Sequence, residues 1–249
     1  MSFITKADLY SSRDIKIEAK AQLKNHWKNA VLLALVPVLF SIFFISEVDV
    51  DAVQMSTGRR IINLLMTMLH SFILTSVSFT FLDFLRNRNQ IRPLEGALQA
   101  FKKEYFLNLL FLKLIKYVYT ILWTMLLIIP GIVKSFSYAQ AELIFKDKVD
   151  QTGEIPKPTD CIRESQELMK GHKLDLFALL LSFIGWYILS IFTLGLLFIW
   201  LTPYIAMSQV VFYENLLENK AFSHRQEKRK ESSAEIGKNP DDFRDFEDF

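Results

Sequence analysis

Cysteine is almost missing. Cys161 is the only one in 249 residues, so no disulfide can close within the chain. Cys161 reads as a small, reduced, semi-buried residue rather than a reactive thiol. The usual catalytic signatures are missing too. There is no G-x-x-x-x-G-K-[ST], no G-x-G-x-x-G, no H-E-x-x-H, no C-x-x-C and no G-x-S-x-G. His26, His70, His172 and His224 are scattered, and none has a second His or Cys at ligand spacing. No serine has a histidine at a suggestive distance. The chain therefore reads as a non-enzyme with no catalytic set, no metal and no cofactor. No nucleic-acid partner is expected.

Charge is missing from three long stretches. Asn29 to Ser46 is 18 residues without one, Ile61 to Leu82 is 22, and Leu176 to Tyr213 is 38. A helix of roughly 20 residues crosses a hydrocarbon core of about 30 Å. An uncharged run of 38 residues holding Trp186, Tyr187, Trp200 and Tyr204 points to an integral membrane protein. Residues 1–28 are polar, and no A-x-A site follows the first apolar run. That run reads as a retained span, not a cleaved signal.

Residues 105–146 pose the main question of topology. They are mostly apolar but carry Lys113, Lys116, Lys134 and Glu142, with Pro130-Gly131 in the middle. One helix of that length would extend about 63 Å, twice the core thickness. Two helices with a hairpin at Pro130-Gly131 fit, because proline is tolerated in a first turn and glycine in a tight one. Charge gives an independent test, since cytoplasmic loops carry excess Lys and Arg. Residues 1–28 hold six, 84–104 hold five, 146–173 hold six and the tail after Leu217 holds seven. The loop between the first two spans holds only Arg59 and Arg60 against three acids. A hairpin keeps all four basic segments on one side; a single span would send 146–173 across.

The expected architecture is all-α: a polytopic transmembrane helical bundle of about six spans, N-in/C-in, with interfacial amphipathic helices. The membrane domain covers 1–218, with spans at about 29–46, 61–83, 105–128, 131–146, 175–193 and 196–214. Residues 219–249 are polar, basic first and acidic last, and read as a disordered charged cytoplasmic tail. DDFRDFEDF at its end is either a docking element for a protein partner or plain solvated chain. LLIIPGI and LFIWLTPYI each place an apolar run before a proline, a faint echo between two halves.

Two segments outside the spans look interfacial. In residues 13–28, Lys16, Lys20, Lys24 and Lys28 recur every four residues beside Ile15, Ala19, Leu23 and Trp27. That places a cationic ridge next to an apolar one, suited to a bilayer surface with anionic lipids. Leu94, Ala97, Leu98 and Phe101 give a second such face.

The stretches SSRDIKIEAKAQLKNHWKNAVLL, IIPGIVKSFSYAQAELIF, SQELMKGHKLDLFALLLSFIGW and LTPYIAMSQVVFYENL resemble a known family. It is the bacterial integral membrane family numbered 975 among domains of unknown function. The resemblance runs from about residue 12 to 218, most specifically at Ser165, Leu168, Met169, Gly171, Lys173 and Phe183 to Trp186. It implies a multi-pass helical protein of the bacterial cytoplasmic membrane and no catalytic residues.

Two sets of residues stand out as candidate sites. Lys113, Lys116 and Glu142 are charges inside spans, each costing roughly 2.5–3.5 kcal/mol at mid-bilayer. In a hairpin Glu142 can approach Lys113 as an intramembrane ion pair at the mouth of a polar cavity; alone, each would snorkel. Arg163, Lys170 and Lys173 could contact lipid head groups or a partner. The same segment, capped by Thr159-Asp160 and ended by Gly171, could equally be an elbow that orients the next span. Two functions compete. One is a non-enzymatic scaffold or accessory factor of the cell envelope. The alternative is a small transporter or channel, suggested by proline-broken helices and intramembrane lysines.

Overall fold

The computed structural model describes residues 11–44, 57–87 and 90–236. Within them the chain is helical, with no strand. The helices are α1 (Ser12–Leu23), α2 (Trp27–Phe44), α3 (Thr57–Asn87), α4 (Pro93–Ala97), α5 (Lys103–Leu126), α6 (Ile128–Ser137), α7 (Ala141–Thr152), α8 (Pro158–Leu168), α9 (Lys173–Leu181), α10 (Ile184–Phe192) and α11 (Phe198–Ile236). A 3-10 turn at Gln99–Phe101 joins α4 to α5. The acidic loop at 45–56, Arg88 and DDFRDFEDF lie outside the described residues.

Three helical stretches are long and apolar enough to cross a membrane: Thr57–Asn87, Tyr105–Leu126 and Lys173–Phe192. The apolar part of α2, Trp27–Ile42, is shorter. The expected span at 131–146 is instead two helices, α6 and α7, broken at Tyr138 to Gln140. At ten residues, α6 is only about 15 Å long.

Antiparallel hairpins organise the bundle. His26 lies edge-on to Phe84 and Phe40 stacks on His70, which runs α2 back along α3. Tyr119 faces Tyr138, and Lys134 lies over the Trp123 ring, which folds α6 down α5. Tyr187 meets Phe198 and Phe183 meets Tyr204, which fold α11 back along α10. The last turn uses left-handed backbone at Leu194 (φ 51°) and Gly195 (φ 83°). Glycine takes that conformation freely because it has no Cβ.

The α5–α6 turn falls at Leu127, whose extended backbone (φ −159°, ψ 137°) separates the two helices. The turn thus falls three residues before Pro130, and Pro130 and Gly131 lie inside the first turn of α6. Proline fits there because a first-turn N–H has no helical acceptor. Gly131 serves close packing, since a Cβ on it would meet the Thr124 side chain and lie 2.7 Å from the Thr124 Cα.

Two further expectations are corrected. Ile15, Ala19 and Leu23 of α1 are buried within the protein, where α1 packs on α9 and α11. Tyr204 Oη donates to the Lys16 carbonyl at 3.2 Å, and Lys16 Nζ donates to the Ser182 carbonyl at 3.2 Å. The apolar ridge thus meets helices, not lipid, while Lys20, Lys24 and Lys28 stay exposed. Leu94 and Leu98 do remain exposed, whereas Ala97 is buried. The tail also departs from disorder: α11 continues through 219 to Ile236. Its Glu, Lys, Arg, Gln and Ala residues are strong helix formers and extend a helix already nucleated by packing.

Candidate functional site

α5 carries Lys113 and Lys116 on one face, one turn apart. Because α6 folds back along α5 and breaks at Tyr138 to Gln140, Glu142 in the first turn of α7 arrives beside them. Both lysine Nζ atoms lie 3.1 Å from Glu142 Oε1. α3 completes the cluster. Lys113 Nζ donates to Ser71 Oγ at 2.9 Å and to Thr75 Oγ1 at 2.7 Å, and Thr75 donates to Glu142 Oε2. With Glu142, that gives Lys113 an acceptor for each of its three protons.

Lys116 is placed differently. Its hydrogen bond is to Glu142, and its side chain is 26% exposed against 8% for Lys113. Among the described residues, two lysines against one carboxylate leave a formal surplus of one positive charge. Lys116 faces a cavity of about 340 Å³ lined also by Ser71, Thr75, Ser135, Gln140, Glu142 and Gln209. A second cavity of about 520 Å³ lies between α2, α3 and α11 and is mainly apolar, with Leu35, Val38, Leu39 and Phe198 among its walls. Leu74, Ser78 and Gln209 line both.

A second polar network, which the sequence reading did not identify, joins the far ends of the same helices. Arg86 Nη2 donates to Asp147 Oδ2 at 2.9 Å, and Arg86 Nε donates to Glu214 Oε1 at 2.6 Å. Tyr213, itself buried, donates to Asp147 as well. Beside this, buried Lys146 lies 2.8 Å from Asp83 and 2.6 Å from Asp150. Tyr105 Oη donates to Asp150 at 2.9 Å, and Gln99 Nε2 donates to Asp83 at 2.6 Å. The network ties α3, α5, α7 and α11 together. One signal was available: Lys146 and Asp150 stand four apart, as helical ion pairs do. The partners from α3 and α11 had none.

Arg163 lies in α8, Lys170 just past its end and Lys173 at the start of α9. Arg163 is exposed and 3.9 Å from Asp160, Lys170 is exposed, and Lys173 is half-buried at the start of α9. No ion pair or hydrogen bond links the three among the described residues. The opposite side of α8 is buried, through Cys161, Ile162, Ser165 and Leu168. Ser165 Oγ donates to the Ser137 carbonyl at 2.8 Å and accepts from the Gln140 N–H at 3.2 Å. Ser165 thus satisfies the break between α6 and α7, the turn that delivers Glu142.

The histidines stay apart. His172 lies 3.1 Å from Asp175, and His224 lies 3.9 Å from Glu227. No group of three or more His, Cys, Asp or Glu among the described residues could hold a metal ion.

Comparison with known proteins gives one result. A family model described as "Protein of unknown function (DUF975)" matches residues 3–134 and 124–220. No curated protein matches the chain, and no solved structure does.

Proposed function

The chain belongs to the DUF975 family, and we propose that it is a six-span protein of the bacterial cytoplasmic membrane, N-in/C-in, with α6 and α7 together making the fourth crossing as a broken helix, acting as a non-enzymatic scaffold or accessory factor of the envelope. The spanning reading draws on exposed apolar surface. Met125 is 81% exposed, Phe192 80% and Leu194 94%, all near the two helical turns. Water would not tolerate such a patch, whereas lipid would. The topology draws on the hairpins, which return the basic segments to the end where Arg86, Asp147 and Glu214 meet. Cysteine labelling tests it: Ile155→Cys should react only after permeabilisation, and Leu194→Cys should react in intact cells. Ready labelling at 155 from outside overturns the topology.

One observation carries the scaffold reading. α11 has 39 residues and is about 58 Å long, roughly twice what a bilayer core needs. Its buried contacts end near Leu216 and Leu217, after which it presents Lys220, Arg225, Glu227 and Lys228 to solvent. A projecting charged helix is a docking element for another protein. Crosslinking in cells should trap a stoichiometric partner with the full chain and lose it when residues 221–249 are removed. Equal recovery with both forms removes the reading. The alternative, a small transporter or channel, draws support from the polar cavity at Lys116. It requires solute flux through protein-containing liposomes.

A further inference from the structure

We infer that the two adjoining cavities form one binding site for a single-chain anionic amphiphile, a long-chain fatty acid with its carboxylate on Lys116. The inference shares with the proposed function only the premise that the outer surface of the bundle faces lipid. It is independent of the scaffold role.

Lys113 and Glu142 satisfy each other, with Ser71 and Thr75 completing the lysine. An ammonium has three donors. Lys116 gives one to Glu142 and has its remaining donors on the cavity side. A cation held among apolar helices is costly unless paired. The missing element is therefore one anionic group with acceptor oxygens. Ser71, Gln140 and Gln209 stand around the same space and can donate to those oxygens.

Shape supplies the rest. The polar cavity has Lys116 on its α5 side and adjoins the apolar one at Leu74, Ser78 and Gln209, which line both. A ligand with its charged end on Lys116 can lay its chain along that boundary. The apolar cavity lies between α2, α3 and α11, with Pro37, Ile42, Leu196 and Ile199 among its walls. Both volumes, about 340 and 520 Å³, fall in the range of ordinary small-molecule sites. A polar seat opening into an apolar sleeve matches a head and a tail. Depth selects the head. Lys116 lies 13 residues from the Lys103 end of α5 and 10 from its Leu126 end, about 20 and 15 Å, so it is near mid-depth. A phospholipid head group, anchored at the bilayer surface and carrying two chains, does not reach there. A single-chain carboxylate does.

The test uses the full chain in nanodiscs of zwitterionic lipid, with oleate as probe and oleyl alcohol and phosphatidylglycerol as comparators, read by native mass spectrometry. Oleate should bind about tenfold tighter than oleyl alcohol, the size of one hydrogen bond to a charged group. Lys116→Gln should abolish that preference, bringing oleate down to the level of the alcohol, while the Lys113–Glu142 pair stays neutral. Ser78→Phe, which fills the junction, should reduce binding of both. Equal binding of oleate and the alcohol to the unaltered protein overturns the inference without any variant. So does displacement of oleate by phosphatidylglycerol at equal concentration, which would make this a phospholipid site. Retention of the carboxylate preference by a folded Lys116→Gln protein also overturns it.

Discussion

Gly131 packs directly against Thr124 across the α5–α6 turn, with no room for a side chain between them. The contact involves the Thr124 backbone, so rotating a side chain cannot relieve it. Everything that follows in sequence depends on this close return, because it sets how far down α5 the α7 carboxylate arrives.

Gly131→Ala should therefore destabilise the protein by about 1–3 kcal/mol, the usual cost of overpacking. Gly185→Ala is the matched control, since a Cβ there meets nothing within 4 Å. Thermal unfolding in detergent should show a lower midpoint for the first and no loss for the second. Equal midpoints would mean that the two helices separate freely.

Glu142→Lys should sharply lower protein abundance in membranes. It would crowd a third cation beside Lys113, which is almost fully buried, and removing one partner of a buried pair costs roughly 3–5 kcal/mol. Lys113→Glu in the same chain should restore abundance by re-forming the pair in reverse. Quantitative immunoblotting decides, and a double variant no better than the single would show the pair to be dispensable.

Asp147→Asn should be the most damaging change at the other end of the bundle. It removes the carboxylate that accepts from both Arg86 and Tyr213. Arg86 is partly exposed and keeps Glu214, so the loss should fall near the lower end of the buried-pair range, about 3 kcal/mol. Tyr213→Phe removes only one donor and should cost about 1–2 kcal/mol. Limited proteolysis of the α7–α8 connection should accelerate in that order.

Cys161 is fully buried, and burial pushes its thiol up to about 11. An unfolded thiol titrates at about 8.5. The folded chain thus keeps a proton that the unfolded chain releases, so this contribution to stability is intact below about 8.5 and is lost as pH rises towards about 11. Maleimide at pH 7.5 should leave Cys161 unmodified in the folded protein and modify it fully in dodecyl sulfate. Fast labelling of the folded protein would place α8 away from its packed position. The silence of Cys161 also gives single-cysteine topology probes a clean background.

Much of the architecture was legible in the amino-acid order. Uncharged runs marked the apolar helices, because a charge cannot be left in a low-dielectric layer without a partner. The Pro130-Gly131 region marked the return of the chain, and the structure shifts the turn only to Leu127. The Lys113, Lys116 and Glu142 set was nameable because charges in apolar helices are conspicuous. Arg86, Asp147 and Tyr213 were not, since each looks ordinary beside its own neighbours and matters only through partners more than sixty residues away.

The sequence by itself determined that the apolar segments are helical, which of their faces need covering, and which charges need company. Those properties are local: they follow from periodicity, composition and the cost of an unpaired ion. Only the tertiary structure decided what does the covering. The Ile15, Ala19 and Leu23 stripe demanded an apolar neighbour, and packing supplied α9 and α11 in place of lipid. Two lysines demanded counter-charge, and the fold brought one carboxylate, leaving Lys116 facing a cavity. Helical periodicity records that a surface must be buried; which surface meets it is set by the summed contacts of the whole bundle.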